Sequence, residues 1–394
     1  AVRPDALIVP TRREPGAALQ GCLRLASALG CPAVFLCTGR ADPAVILRLL
    51  DGPGSLPEVV LVDLNDLGEA VRTRPLAVDQ HPEVLRGEHR AVAAKRNLAL
   101  ALAHVLGWSV LLFHDDDVHG LNVVRVRRAA RRLDTRSTGT VALAWRMVPV
   151  SPRNLRDPWR VGIRGTPTLQ GPAGEGGPRP ASALTVLDNS VICHARRRLD
   201  LWQDTFLGAG ALLVDVRRYR SLFPGIYNDD WLYLLGAVAS RELAVGGHAH
   251  QEPYDPFADP RRAEAEEFGD LLGEGLFRLL HLGVRRPLEV TDPGYWHEVL
   301  LGRRQLHEDL LRRLEDRGGN DRIRDCLLAG LVRCRQITPG SVTAFLRLWG
   351  QDLRSWGEWS HQLPRVGGVG RALDVLGVPT SSVQCFTDTP PGRG

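Results

Sequence analysis

Residues 95–118 form the segment that most restricts the fold of this chain, KRNLALALAHVLGWSVLLFHDDDV. The apolar spacing of its first half predicts a helix, Gly107 interrupts that helix, and a second apolar run predicts a buried strand. Three consecutive aspartates follow the strand: Asp115, Asp116 and Asp117. A helix that leads into a buried strand is typical of α/β folds, in which ligands collect at the carboxyl ends of the strands. We therefore expect the three carboxylates at a functional edge of a sheet.

Short apolar strands alternate with helices along the first two thirds of the chain. Besides the strand before Asp115, the predicted strands are residues 6–9, 33–37, 59–62, 141–148, 209–216 and 243–245. Predicted helices include residues 17–28, 42–50 and 228–239. This alternation indicates an α/β fold with a mostly parallel sheet that helices cover on both faces.

Helical patterns dominate from about residue 259 onward. The predicted helices cover residues 263–280, 296–317, 321–335 and 341–356. We therefore divide the chain into an α/β domain over residues 1–258 and a helical C-terminal region over residues 259–394. The helical region also offers a surface for a homo-oligomer.

The aspartate triplet has two interpretations. Three adjacent carboxylates repel one another unless a cation lies among them, and hard divalent cations such as Mg²⁺ and Mn²⁺ prefer oxygen ligands. Alternatively, the triplet is an acidic turn that closes the strand, because Asp favours turns. The triplet alone leaves both interpretations open.

Lys95 favours a ligand at this edge. It is the only lysine in a chain with 50 basic Lys and Arg residues, and it falls within an apolar stripe of its helix. The stripe consists of Ala91, Val92, Leu98, Ala99, Leu102 and Leu106. A lysine on a buried face needs an anionic partner or must extend to water. Because the helix precedes the strand, a phosphate at the aspartate edge would suit Lys95, whereas the alternative is an ordinary surface lysine.

The composition is that of a soluble globular protein, with 44% hydrophobic and 24% charged residues and a net charge of +5. No repeated aromatic and basic pattern indicates a nucleic-acid partner. The seven cysteines are odd in number and form no C-x-x-C pair, so a disulfide framework or a zinc site is not expected and a cytoplasmic location fits. No apolar run is long enough for a transmembrane segment.

Residues 155–183 interrupt the alternation of strands and helices with many glycines and prolines. Segments of this length without regular structure are usually functional or disordered. We expect this one to order over a bound ligand as a lid.

Five motifs in this order resemble the GT-A fold glycosyltransferases, close to the large family-two type, which carry a D-x-D motif and use nucleotide sugars. They are a first strand that ends in Pro-Thr, a basic-Asn pair before the aspartates, the aspartates themselves, a small-residue segment followed by an acidic helix start, and a later His. In this chain they read IVPTRR from Ile8, KRN from Lys95, DDD from Asp115, GAGALLV from Gly208 with NDDW from Asn228, and GGHAH from Gly246. The resemblance covers residues 5–255 and makes residues 1–258 a nucleotide-sugar-binding catalytic domain.

The resemblance implies a role for each motif. The first strand and Lys95 would hold the nucleotide and the diphosphate of the donor, and Asp115 would contact the ribose. Asp117 would bind Mn²⁺ or Mg²⁺ with His248 or His250, which share one face if their strand continues. The metal would neutralise the leaving nucleoside diphosphate. The nucleotide-binding residues are Pro10, Thr11, Arg12, Thr38, Lys95, Asp115 and Asp116.

The NDDW motif would supply the catalytic carboxylate. Inverting glycosyltransferases need a base for the acceptor hydroxyl, and Asp230 is favoured over Asp229 for this role. The alternative is structural: Asn228 would cap the helix and the two aspartates would stabilise its first turn. Retaining enzymes need no such base, so the stereochemical outcome stays open.

One position departs from the family pattern. Family-two enzymes usually carry an Asp after the second strand to bind the base, where this chain has CTGRAD from Cys37. Thr38 or Asp42 could substitute. The sequence names neither the base nor the sugar nor the acceptor.

The expected function is metal-dependent transfer of a sugar, of the hexosyltransferase type, from a nucleotide-diphosphate sugar to an acceptor hydroxyl. A sugar-nucleotide pyrophosphorylase or nucleotidyltransferase ranks second, because the first loop, PTRREPGAAL, has one glycine rather than a glycine-rich phosphate loop. A non-enzymatic nucleotide-binding protein ranks third. A Rossmann dehydrogenase is disfavoured, because no G-x-G-x-x-G follows a strand.

Overall fold

The computed structural model describes residues 3–49, 57–65, 75–86, 89–134, 139–149, 190–201 and 207–386. Within them a nine-stranded sheet has the order β5-β8-β6-β7-β4-β1-β2-β3-β9. The strands are β1 Ala6–Thr11, β2 Ala33–Cys37, β3 Val59–Asp63, β4 Val110–His114, β5 Val118–His119, β6 Ala142–Pro149, β7 Ala211–Asp215, β8 Leu243–Gln251 and β9 Val383–Phe386.

Six of the nine strands run in one direction. β1 is parallel to β2 and β4, β2 is parallel to β3, and β6 is parallel to β8. β7 runs antiparallel between β4 and β6, and the edge strands β5 and β9 are also antiparallel to their neighbours. The expected parallel sheet is therefore confirmed for its core, whereas β7 and both edges depart from it.

Twelve α-helices accompany the sheet in the described residues. They are α1 Ala17–Leu29, α2 Pro43–Arg48, α3 Pro82–Arg86, α4 Arg90–Leu106, α5 Val123–Asp134, α6 Val191–Arg198, α7 Asp229–Ala239, α8 Pro260–His281, α9 Pro293–Glu315, α10 Asp321–Gln336, α11 Pro339–Gln362 and α12 Val369–Val375. Local signals in the sequence explain several ends. α4 stops at Gly107, which adopts a left-handed conformation (φ 78°), and Asp292 and Asn320 cap α9 and α10 through their side chains.

Alternate residues of each strand face two apolar layers. Along β1, Leu7 and Val9 pack into the layer beneath α1 and α5, whereas Ala6 and Ile8 face the layer that contains α4 and α7. The period of two is the expected result of strand geometry.

The C-terminal helices belong to the second of these layers. Buried residues of α8, α9 and α11, such as Leu271, Trp296 and Trp349, share one apolar cluster with the sheet and with α4. The Asp352 carboxylate of α11 also accepts hydrogen bonds from the amides of Ala77 and Val78, at 2.7 and 2.8 Å. β9 pairs with β3, so the last described segment returns to the sheet. The division at residue 258 remains a prediction.

Most expected elements are present, with shifts of a few residues at their ends. β8 extends to Gln251, so His248 and His250 both lie on this strand. The expected lid at residues 155–183 lies outside the described residues. The seven cysteines, all within the described residues, form no disulfide. In the described part of the chain, no helix is both long and apolar enough to cross a membrane.

Candidate active site

The carboxyl ends of β1, β2 and β4 meet at one edge of the sheet, together with the start of β7. Because β7 is inverted, its first residues rather than its last lie at this edge. The Asp115 amide donates a hydrogen bond to the Gly210 carbonyl at 2.9 Å, which joins the aspartate triplet to the small-residue segment before β7. The aspartates therefore lie at the edge where the sequence places them.

Asp116 joins β4 to β1. One of its carboxylate oxygens, Oδ2, accepts hydrogen bonds from the Thr11 hydroxyl at 2.6 Å and from the Arg12 amide at 3.2 Å. Thr11 is fully buried, whereas the Arg12 side chain is exposed. The middle aspartate thus fixes the position of the segment that the sequence assigns to nucleotide binding.

Asp117 is buried and is paired with an arginine. Its Oδ2 atom lies 2.9 Å from the guanidinium of Arg13 and 3.4 Å from the Gln251 amide. Burial, and secondarily the charge of Asp115, raise the pKa of Asp117 to about 6, although Arg13 opposes this effect. The side chain of Arg13 is 56% exposed, so it can move away from Asp117 with little loss of packing.

Lys95 is buried, with 2% exposure, as its place in the apolar stripe requires. Its ammonium group donates to the Thr11 carbonyl and to the Thr38 hydroxyl, both at 2.9 Å. Burial lowers the pKa of Lys95 to about 8, and the nearby charge of Asp116 partly offsets this effect. Lys95 therefore holds the ends of β1 and β2 together at the edge where a diphosphate is expected.

Arg96 connects the aspartate triplet to the acidic start of α7. Its guanidinium donates to both oxygens of Asp229, at 3.0 and 3.2 Å, and to Asp115 at 3.2 Å. Burial alone would lower the pKa of Arg96, but the charges of Asp229 and Asp115 raise it above its usual value. The sequence motifs give no role to Arg96. Its place beside Lys95 in a buried helix was the available signal.

Asp229 and Asp230 occupy different environments at the start of α7. Asp229 is paired with Arg96, and burial raises its pKa to about 7 despite this partner. Asp230 accepts hydrogen bonds from two backbone amides, those of Ala209 at 2.9 Å and Trp231 at 2.8 Å. Burial raises the pKa of Asp230 as well. Asp229 is thus bound to a charged side chain, and Asp230 to neutral donors.

Asn228 does not cap α7 with its side chain, contrary to the structural alternative. The residue is left-handed (φ 60°), and its side-chain amide donates to Asp270 of α8 at 3.0 Å. The start of α7 therefore depends on a contact with the C-terminal helices.

His248 and His250 lie on β8, paired with Arg146 of β6 and with His119 of β5. His250 is buried and His248 is half-buried. Among the described residues, no three His, Cys, Asp or Glu side chains form a group that could hold a metal ion. The assignment of Asp117, His248 and His250 as metal ligands thus remains a prediction.

In the segment after β2, the structure gives Asp42 a role in capping a helix, and its expected contact with the base stays a prediction. The Asp42 carboxylate accepts a hydrogen bond from the Ala44 amide at 2.8 Å and caps α2. Thr38 remains at the edge, bonded to Lys95. Nearby, Asn65 follows β3 and accepts a hydrogen bond from the Gly39 amide at 2.6 Å. Pro10 is buried within β1.

Comparisons with known proteins show a structural similarity to a solved mannosyltransferase. No protein-family profile matches the chain, and no curated protein sequence matches it. A solved structure of a mannosyltransferase from Pyrobaculum calidifontis, in complex with GDP-mannose and Mn²⁺, aligns with 89% of this chain and 86% of its own, at 13% sequence identity and a TM-score of 0.38.

Proposed function

We propose that this protein is a metal-dependent glycosyltransferase that uses a nucleotide-diphosphate sugar. One observation carries the proposal: a single sheet edge combines the aspartate triplet, a buried Lys95, and a second acidic pair at the start of α7. Parallel strands of α/β sheets bind ligands at this edge. The order of the motifs along the chain, which resembles GT-A enzymes, adds the reaction class.

The donor would lie over the ends of β1 and β2. Thr11, Arg12 and Thr38 would contact the nucleoside, and Asp115 would contact the ribose. Lys95 supports the proposal because its buried ammonium lies between two strand ends. Its two acceptors within the described part of the chain leave a third donor hydrogen for a ligand oxygen.

A carboxylate such as that of Asp117 is a suitable ligand for a hard divalent cation. Mg²⁺ and Mn²⁺ accept one or two protein carboxylates together with substrate phosphates and water. Arg13, which now neutralises Asp117, is exposed enough to move away. His248 or His250 would complete the protein ligands. When bound, the metal would neutralise charge on the leaving diphosphate.

Asp230 is the proposed base, for a reaction that inverts the anomeric centre. A base must accept a proton, and neutral amide donors leave its carboxylate more available than the arginine that holds Asp229. Asp229 would act with Arg96 to fix the start of α7.

A nucleotide screen tests this function. Thermal stability is measured with UDP, GDP, ADP and their common hexose conjugates, with and without Mn²⁺. Ligand at ~100 times its dissociation constant should add about 2.7 kcal/mol to the free energy of unfolding. Release of nucleoside diphosphate from a nucleotide sugar supports a transferase, whereas pyrophosphate-dependent release of a sugar phosphate would indicate a pyrophosphorylase.

Two variants test the residue roles. Asp117→Asn should abolish Mn²⁺-dependent nucleotide binding while the protein stays folded. Asp230→Asn should lower turnover by ~10²-fold or more with donor affinity little changed. A folded Asp230→Asn enzyme with full activity would exclude the base and favour a retaining mechanism.

A further inference from the structure

A buried charge network lies in the C-terminal helices, outside the site described above. Three acidic residues of α8, Glu267, Asp270 and Glu274, follow one another at intervals of three and four and so share one helix face. All three surround the buried guanidinium of Arg303 on α9, at 2.9, 2.8 and 2.9 Å. His307 lies 3.1 Å from the Glu267 carboxylate.

Most of this network is paired internally, which fixes Asp270 in place. Burial alone would raise the pKa of Glu267, but Arg303 and His307 lower it to about 2. Arg303 is therefore held by an ionised carboxylate, and it presents one nitrogen to Asp270 Oδ2. Buried ion pairs with several partners have little freedom to rearrange, because separation leaves a charge without compensation.

The other oxygen of Asp270 contacts the residue that precedes α7. Asp270 Oδ1 accepts a hydrogen bond from the side-chain amide of Asn228 at 3.0 Å. Asn228 adopts a left-handed conformation (φ 60°) and immediately precedes the two aspartates of α7. Asn adopts this conformation more readily than most non-glycine residues, and the bond to Asp270 fixes the direction of its side chain.

Two glycines bring α8 close enough for this contact. A Cβ atom at Gly269 would collide with the Tyr227 carbonyl, and one at Gly273 would lie 3.0 Å from the Trp231 ring. The residues before and after the acidic pair thus pack directly on the α8 backbone. Asp270 lies between the two glycines in the sequence.

We propose that Asp270, held by Arg303, is a positioning residue that sets the orientation of the Asp230 carboxylate through Asn228. Through its bond to Asn228, Asp270 fixes the conformation of the residue before α7, and this conformation sets where α7 begins. The start of α7 in turn places the Asp230 carboxylate against the Ala209 and Trp231 amides. The catalytic importance of this orientation rests on the proposed function, but the orientation itself does not.

Amide hydrogen exchange tests the orientation without a substrate. The Ala209 and Trp231 amides donate to Asp230, so their exchange rates report its position. Exchange is measured by mass spectrometry with residue-level fragmentation in Asp270→Asn and in Asn228→Gly. The glycine variant retains a residue that tolerates φ 60° but removes the bond to Asp270, and it keeps the test valid if Asp270→Asn does not fold.

We expect both amides to exchange about tenfold faster in each variant, while amides of β1 and β2 are unchanged, because only the local turn is released. Arg333→Gln is the matched control, because Arg333 lies in α10 of the same helical region and forms a buried ion pair with Glu83 of α3. Unchanged exchange in both variants, or equal acceleration in the Arg333→Gln control, would overturn the proposal.

Turnover separates this proposal from the proposed function. Nucleoside diphosphate release from UDP-glucose and GDP-mannose is measured with Mn²⁺ in the same variants and in Asp230→Asn. If exchange is faster in Asp270→Asn and Asn228→Gly but Asp230→Asn is fully active, Asp270 still positions the Asp230 carboxylate. In that case Asp230 is not the catalytic base. With an active wild type, we expect Asp270→Asn to lower kcat about tenfold and to leave Mn²⁺-dependent nucleoside diphosphate affinity within about twofold.

Discussion

Each aspartate of the triplet has its own partner, which explains how three adjacent carboxylates are tolerated. Asp115 is paired with Arg96, Asp116 with a hydroxyl and a backbone amide at the end of β1, and Asp117 with Arg13. Two arginine side chains thus supply part of the positive charge that three adjacent carboxylates need. Of these partners, Arg13 is the most exposed, so the Asp117 contact is the easiest to exchange.

Arg13→Gln should therefore raise the affinity for Mn²⁺ in the absence of nucleotide. An exposed ion pair contributes about 1 kcal/mol or less, so a gain of up to about fivefold is expected. The measurement is free Mn²⁺ by electron paramagnetic resonance. Arg40→Gln is the control, since Arg40 pairs with the exposed Glu14. Equal affinities in wild type and Arg13→Gln would show that Arg13 does not compete with the metal.

Lys95 gives a prediction of pH dependence. Its pKa falls from a usual 10.5 to about 8 in the folded protein. The unfolded chain therefore holds more protons between pH 8 and 10.5, and the stability contributed by Lys95 rises with pH across that window. Below pH 8 the buried charge costs at most about 3 kcal/mol, and the bonds that Lys95 donates offset part of it.

Lys95→Met removes that charge. The free energy of unfolding of the variant minus that of the wild type should therefore be larger at pH 7 than at pH 10. Urea titrations at both values provide the difference, in which other titrating groups largely cancel. A difference independent of pH would contradict a buried, charged lysine at neutral pH.

Functional residues could be predicted from the sequence where a charged side chain interrupts or ends an apolar pattern. Lys95 is a charge within an apolar stripe, and the aspartates end an apolar strand, so both could be recognised without a structure. Arg96 could not be assigned in this way. Its partner Asp229 is 133 residues away, and helical periodicity does not specify which distant charge a buried arginine contacts.

At the scale of elements, the packing of α8 on the start of α7 depends on close backbone approach. Gly269→Ala should destabilise the protein by about 1–3 kcal/mol, because its Cβ would collide with the Tyr227 carbonyl. Chemical denaturation measures this change. Gly302→Ala is the matched control: it lies in α9 with no atom within 4 Å of its Cβ position, and it should stabilise by up to about 1 kcal/mol. Stabilisation by both variants would contradict the close approach.

The elements themselves were largely predictable from periodicity, but strand direction and pairing were not. β7 reads as an ordinary apolar strand, and its five residues contain no mark of inversion. β9 is short and mostly exposed, so no apolar pattern indicates it. Direction follows from how the connections pack on the sheet, which a local window of sequence does not contain.

At the scale of the whole molecule, one apolar cluster joins the sheet to the C-terminal helices. We expect a single calorimetric transition, with a calorimetric enthalpy equal to the van't Hoff enthalpy. Asp352→Ala should lower stability by about 2–4 kcal/mol, because two amides lose a charged acceptor, yet it should not split the transition. A separate early transition in that variant would indicate that residues 259–394 unfold independently of the sheet.

The pairing of β9 with β3 has a consequence for synthesis on the ribosome. Val62 pairs with Val383, about 320 residues later in the chain. During translation β3 therefore presents an open edge until nearly all of the described chain has emerged, and open edges promote association between nascent chains. Shielding of the β3 edge between the synthesis of β3 and that of β9 would therefore reduce association of nascent chains.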